Sequence, residues 1–136
     1  VSVGPLRAKV LAAAAPYLQD VVVTGLNHRE VGLLMFPSPR CREISGLHAD
    51  APWDEVLASA GVRARIEGLL AQLASQATGS ASRVARALLL AEPPSLDRGE
   101  ITDKGSVNQR AVLNHRAALV DALHDGSAPG ILYPKA

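Results

Sequence analysis

The sequence predicts an α+β fold, a small sheet of about three strands packed under helices. Three observations predict it. Two neighbouring runs, "DVVVTG" (Asp20 to Gly25) and "EVGLLMFP" (Glu30 to Pro37), are apolar nearly throughout, and a third, "SRVARALLLAEPP", is apolar and closed by a Pro-Pro pair. The segments around them repeat apolar residues every three to four positions. Strands that are apolar on both faces need cover on both faces, and helices supply it. With 136 residues, 48% of them apolar, the chain is long enough for one core and too short for two ordinary domains.

The elements follow in order. After Gly4-Pro5, a helix start, "LRAKVLAAAAPYL" sets Leu6, Val10, Leu11 and Ala14 on one face until Pro16 breaks the pattern. The first two strands are joined by "LNHR", a hairpin connection. "SPRCREISGL" reads as a short helix with Ser38 as N-cap, Pro39 first and Gly46 at its end. "DAPWDEVLAS" repeats that design, with Asp50 as cap, Pro52 in the first turn, and Trp53, Val56 and Leu57 on one face. In "VRARIEGLLAQLASQAT", Val62, Ile66, Leu69, Leu70, Leu73, Ala74 and Ala77 form a helical stripe, stopped by Gly79. The third strand follows, with a helix as the alternative. Beyond a long loop, "NQRAVLNHRAALVDALHDG" predicts one helix, capped by Asn108, striped by Val112, Leu113, Leu119, Val120 and Leu123, and ended by Gly126. The domain is therefore read as residues 1–125, with 126–136 a flexible Pro- and Gly-rich tail.

Composition narrows the function. Fourteen basic and thirteen acidic side chains leave a formal charge of +1, which argues against nucleic acid or an anionic membrane as main partner. Four aromatic residues, Tyr17, Phe36, Trp53 and Tyr133, offer few faces for stacking bases. Cys41 has no internal disulfide partner, and the early apolar run Val10 to Ala15 is far shorter than the roughly 18 residues of a membrane helix. The expectation is a soluble, cytoplasmic protein. No phosphate-loop glycine motif, no nucleophile elbow and no metal-ligand spacing is present. His28 and Arg29 read as a solvated turn, His115 and His124 are not spaced as a metal pair, and Cys41 reads as a small buried apolar residue. No metal site is expected.

The loop from Leu96 to Val107 is the remaining candidate. Its Asp97, Arg98, Glu100, Asp103 and Lys104 suit a solvated connection. Loops of about twelve residues are nevertheless uncommon in compact domains and often functional. Elements on both sides hold this one, and Gly99 and Gly105 bracket the lysine, allowing backbone conformations close to a ligand.

Together, "VSVGPLR", "DVVVTGLNHREVGLLMFP" and "RVARALLLAEPPSLDRGEITDKGSVNQRAVL" resemble the C-terminal domain of the adenylate-forming acyl-CoA synthetases, and in detail the feruloyl-CoA synthetase branch. The likeness runs from Val1 to about His124, and "GEITDKGSVNQR" is its specific part. The resemblance implies a small mixed sheet of about three strands covered by helices. It implies a large N-terminal adenylation domain in the same polypeptide that binds ATP, magnesium and a small carboxylic acid. The small domain would supply one lysine to adenylate formation, then rotate so that coenzyme A takes the acyl group. Lys104 would be that lysine, with Gly105 beside it. Arg110 would be a structural partner of the loop, the favoured reading, or a phosphate contact. Ser2 and Gly4 would flank the thiol channel, with the hinge just upstream. The opening "VSVGPLR", without an initiator methionine, accordingly reads as a chain entered midway. Most of the superfamily places Gly before Lys and Arg three residues after it; here Lys104 precedes Gly105 and the next arginine is Arg110, which leaves the register open by a few residues. The implied function is the C-terminal domain of an ATP-dependent aromatic-acid CoA ligase, inactive alone. The alternatives are a free-standing α+β binding module and an adenylating enzyme that loads a carrier protein.

Overall fold

The computed structural model describes residues 3–25, 31–76 and 84–134. In chain order these form helix α1 (Val3–Ala14), strands β1 (Leu18–Thr24) and β2 (Val31–Pro37), a 3-10 helix (Pro39–Ile44), helices α2 (Trp53–Ala58) and α3 (Ala60–Gln76), strand β3 (Val84–Leu89), and helices α4 (Gln109–His115) and α5 (Ala117–Asp125). The expected α+β fold is present, as a mixed three-stranded sheet of order β1-β2-β3. β1 and β2 pair antiparallel as the hairpin reading requires, with Val23 opposite Leu33. β2 and β3 pair parallel, with Leu34 opposite Leu88. A parallel pair needs a crossover, and α2 and α3 supply it.

The unbroken apolar runs are explained by burial on both faces. Along each strand successive side chains point to opposite sides. Val21, Val23, Leu33, Met35 and Ala87 join Val10 of α1 and Ile66, Leu69 and Leu70 of α3 in one cluster. Val22, Leu34, Phe36 and Leu88 join Val112 of α4 and Leu123 of α5 in another. All seven residues of β2 are buried. Each fully buried Val, Leu, Ile or Phe in these layers contributes about 1.5–3 kcal/mol relative to exposure.

Local signals mostly hold. Ser38 caps the short helix by accepting from the Arg40 N–H at 3.1 Å, and Asn108 caps α4 by accepting from the Ala111 N–H at 3.1 Å. Cys41 is fully buried, its thiol lies 3.2 Å from the Tyr17 carbonyl, and burial pushes its pKa up. Three expectations are corrected. Asp50 does not cap α2: the helix starts after Pro52, with no side-chain cap. The single C-terminal helix is two, because Arg116 leaves helical geometry (φ −109°, ψ 32°) between α4 and α5. The supposed tail contains packed residues: Leu132 is fully buried and exchanges two backbone hydrogen bonds with Ala87, of 2.8 and 2.9 Å, on the outer edge of β3. The "LNHR" turn, with His28 and Arg29, and the Gly79 stop lie outside the described residues.

Candidate functional site

The long loop is a built structure. Ile101 and Val107 form an antiparallel bridge. Inside it the Thr102 N–H donates to the Ser106 carbonyl at 2.8 Å, and the Gly105 N–H donates to the Thr102 carbonyl at 2.9 Å. Residues 102–106 are thus a tight hairpin tip, and Gly105 takes φ +82°, which a side chain would strain. Lys104 stands at this tip, exposed, with no hydrogen bond or ion pair among the described residues.

Three polar clamps hold the hairpin. At its root Glu100 is fully buried. Its carboxylate accepts from the Ser95 N–H at 2.7 Å, from Arg116 Nε at 2.9 Å and Nη2 at 3.0 Å, and lies 2.9 Å from His115 Nδ1. Burial alone would raise the Glu100 pKa, but the hydrogen bonds from Arg116, Ser95 and His115 outweigh it and lower the value from 4.5 to about 2. At the far end Asp20 on β1 accepts from the Val107 N–H at 3.0 Å and from Arg7 of α1 at 2.6 Å. Beyond it the Gln109 side chain accepts from the Val23 N–H at 3.0 Å and donates to the Val23 carbonyl, satisfying both backbone groups on the open side of an edge strand. The hydrogen bonds to the Glu100 and Asp20 carboxylates are charge-assisted and worth about 1.5–3 kcal/mol each, whereas the neutral Gln109 bonds are worth about 0.5–1.5 kcal/mol each.

The sequence-predicted residues fall in different places. Lys104 and Gly105 sit together at the tip. Arg110 is exposed on the first turn of α4 and has no bonded partner among the described residues, so the loop's structural partner is Arg116. Gly4 is exposed in the first turn of α1, and Ser2 lies outside the described residues. Sequence reasoning missed Asp20, Glu100, Gln109 and Arg116. Asp20, an acid opening a run of valines, was the one local signal.

An apolar cleft of about 370 Å³ opens where β2 and β3 end, lined by Phe36, Pro37, Trp53, Leu90 and Pro93 among others. The Arg42 guanidinium lies 5.4 Å from the Trp53 ring centre at its rim. Among the described residues no group of three or more His, Cys, Asp and Glu is arranged to hold a metal. No helix among them is long and apolar enough to cross a membrane.

Residues 3–128 match a family model described as the AMP-binding enzyme C-terminal domain. A search of curated proteins returned no match. Among solved structures, the A domain of a carboxylic acid reductase from Segniliparus rugosus, in complex with AMP and a co-purified carboxylic acid, is similar at TM-score 0.66 and 16% identity, covering 94% of this chain and 18% of that one. The A-PCP didomain of carboxylic acid reductase from the same organism, with AMP, gives TM-score 0.59 and 16% identity over 88% of this chain and 16% of that one. The adenylation domain of a carboxylate reductase from Mycobacterium chelonae gives 0.60 and 20% over 87% and 17%. The chain spans less than a fifth of each. These findings correct the expectation of a feruloyl-CoA ligase: the matching family is the general one, and the similar structures are adenylation domains of carboxylic acid reductases. The physical reason lies in the stretch that carried the narrower reading. In "GEITDKGSVNQR", Glu100, Val107 and Gln109 are clamp residues. They report how the loop is built, not which acid or thiol is used.

Proposed function

The chain belongs to the family of AMP-binding enzyme C-terminal domains, and from that premise we propose that it is the small, lysine-bearing domain of a larger adenylate-forming enzyme. One observation carries the reading: Lys104 is exposed and unpaired among the described residues, at the tip of a hairpin clamped to the core. A lysine in that position is presented outward, to a neighbour.

The chemistry gives the ammonium its task. A carboxylate oxygen attacks the α-phosphorus of ATP, a bond to that phosphorus forms, and pyrophosphate leaves. Negative charge accumulates between two anions, and a placed ammonium stabilises it most where it is greatest. ATP and the acid belong on the large domain. Magnesium travels with the ATP phosphates and so belongs with them there. Gly105 sets the turn that presents Lys104. Arg110, exposed on α4 just beyond the hairpin, adds a second positive charge available to the neighbouring domain.

For the second half-reaction the acceptor is the thiol arm of a carrier protein: the thiolate attacks the acyl carbonyl and AMP leaves. The likeness to adenylation domains, one attached to PCP, supports that acceptor. The test uses the intact enzyme. Lys104→Ala should lower acid-dependent ATP–pyrophosphate exchange by about 10² to 10³-fold, while acyl transfer from supplied acyl adenylate to a carrier changes far less. Exchange at the wild-type rate would remove Lys104 from the chemistry. Faster transfer to free coenzyme A than to a carrier would remove the carrier.

A further inference from the structure

We propose that the buried Glu100–Arg116 pair, with His115, is a positioning device for Lys104, fixing the root of the hairpin so that the lysine stands at one place during adenylate formation. The proposal rests on the role of Lys104 given above. A lysine side chain is a flexible four-carbon stem, so its backbone must be fixed if the ammonium is to arrive at a defined point.

Glu100 sits immediately before the Ile101–Val107 bridge, and both its main chain and its side chain are committed. Its N–H donates to the Ser95 carbonyl at 2.9 Å, its carbonyl accepts from the Asn108 N–H at 2.7 Å, and its carboxylate takes Arg116, His115 and the Ser95 N–H. Arg116 gathers the remainder of the loop. Its Nη1 donates to the Glu92 carbonyl at 3.2 Å and its Nη2 to the Pro93 carbonyl at 2.9 Å, while its guanidinium lies 5.2 Å from the ring centre of the buried Phe36. One side chain therefore joins the loop's start, the hairpin's root and the core. The helical pattern from Gln109 onward is interrupted at this residue, and the break brings His115 and Arg116 to the same carboxylate.

Apolar packing could close the root of the hairpin as stably as a buried ion pair, because the pair carries a desolvation cost that apolar groups avoid. A four-bonded carboxylate four residues before the proposed catalytic lysine is better explained by what it holds still. Neither residue touches Lys104, so both act through the backbone.

The test measures each half-reaction separately in the intact enzyme, for Glu100→Gln and Arg116→Lys, each alone and combined with Lys104→Ala. The expected result is a loss of about tenfold to a hundredfold in the kcat of ATP–pyrophosphate exchange, the scale of a misplaced catalytic group, with the KM for the acid and the transfer from supplied acyl adenylate unchanged. Added to Lys104→Ala, either substitution should slow exchange no further, because the group it positions is gone. Equal loss in both half-reactions, or losses that multiply with Lys104→Ala, would overturn the proposal. Arg116→Lys keeps the charge and loses the planar fork, so it carries the test if Glu100→Gln does not fold. If Lys104→Ala alone leaves exchange intact, the reading of the lysine fails. If Lys104→Ala abolishes exchange while Glu100→Gln and Arg116→Lys match wild type, only the positioning fails.

Discussion

At the scale of single residues, Glu100 links stability to pH in a direction its surroundings fix. Its folded pKa of about 2 lies below the ordinary 4.5. A depressed carboxylate contributes stability that is complete above the unfolded value and is lost as pH falls through the folded one. The difference corresponds to on the order of 3 kcal/mol, at about 1.4 kcal/mol per pKa unit, for a side chain that is fully buried. Glu100→Gln removes the titration and leaves the Arg116 guanidinium without its counter-charge. The gap in unfolding free energy between wild type and this variant should therefore be widest near neutral pH and close as pH falls from about 5 toward 2. Denaturant titrations at a series of pH values check this, and a gap that stays constant over that range would show that the carboxylate is not held as described. Nothing local in the sequence marks Glu100 as buried. It stands among Asp97, Arg98, Asp103 and Lys104, all exposed, and only the fold brings Arg116, sixteen positions on, against it.

At the scale of elements, the junction between α2, α3 and the 3-10 helix depends on one missing side chain. A Cβ at Gly61, in the first turn of α3, would stand 1.8 Å from the Ile44 carbonyl oxygen, at the end of the 3-10 helix. That neighbour is backbone, so relief requires one helix to move. Gly61→Ala raises helix propensity by about 1 kcal/mol and should still destabilise the domain, because forced overpacking costs typically about 1–3 kcal/mol and occasionally more. A lowered denaturant midpoint with an unchanged m-value is the expected reading, and a stabilised variant would refute the close approach. This contact was invisible in the sequence, because only the fold brings Gly61 against Ile44. What was legible there followed from periodicity and caps. Ser38 and Asn108 cap as expected because an N-cap is a local bargain between one side chain and the next turn's N–H groups. The break between α4 and α5 was not legible, because Arg116 leaves the helix to satisfy Glu100 and two carbonyls of the preceding loop.

At the scale of the whole molecule, the sheet separates two apolar layers, and the Lys104 hairpin grows from the layer that also holds α4 and α5. That two-sided burial was legible, since "VVV" and "VGLLMFP" have no polar face to turn toward water. The clamps were not, because Asp20 and Val107 are 87 positions apart and Gln109 and Val23 are 86 apart, separations on which a single sequence carries no pattern. The same architecture separates folding from chemistry. Both layers are closed by the chain's own helices, whereas the lysine is exposed at the hairpin tip, so the chain should unfold in one cooperative transition yet catalyse no acid-dependent ATP–pyrophosphate exchange by itself. Adding the large adenylation domain as a separate protein should restore exchange, rising to saturation with the concentration of this chain, and the Lys104→Ala chain should restore at most about a hundredth of that rate. Tight binding of ATP and acid by the chain alone, with exchange in the absence of any second domain, would mean that the reaction centre lies within these residues and that the hairpin serves something else.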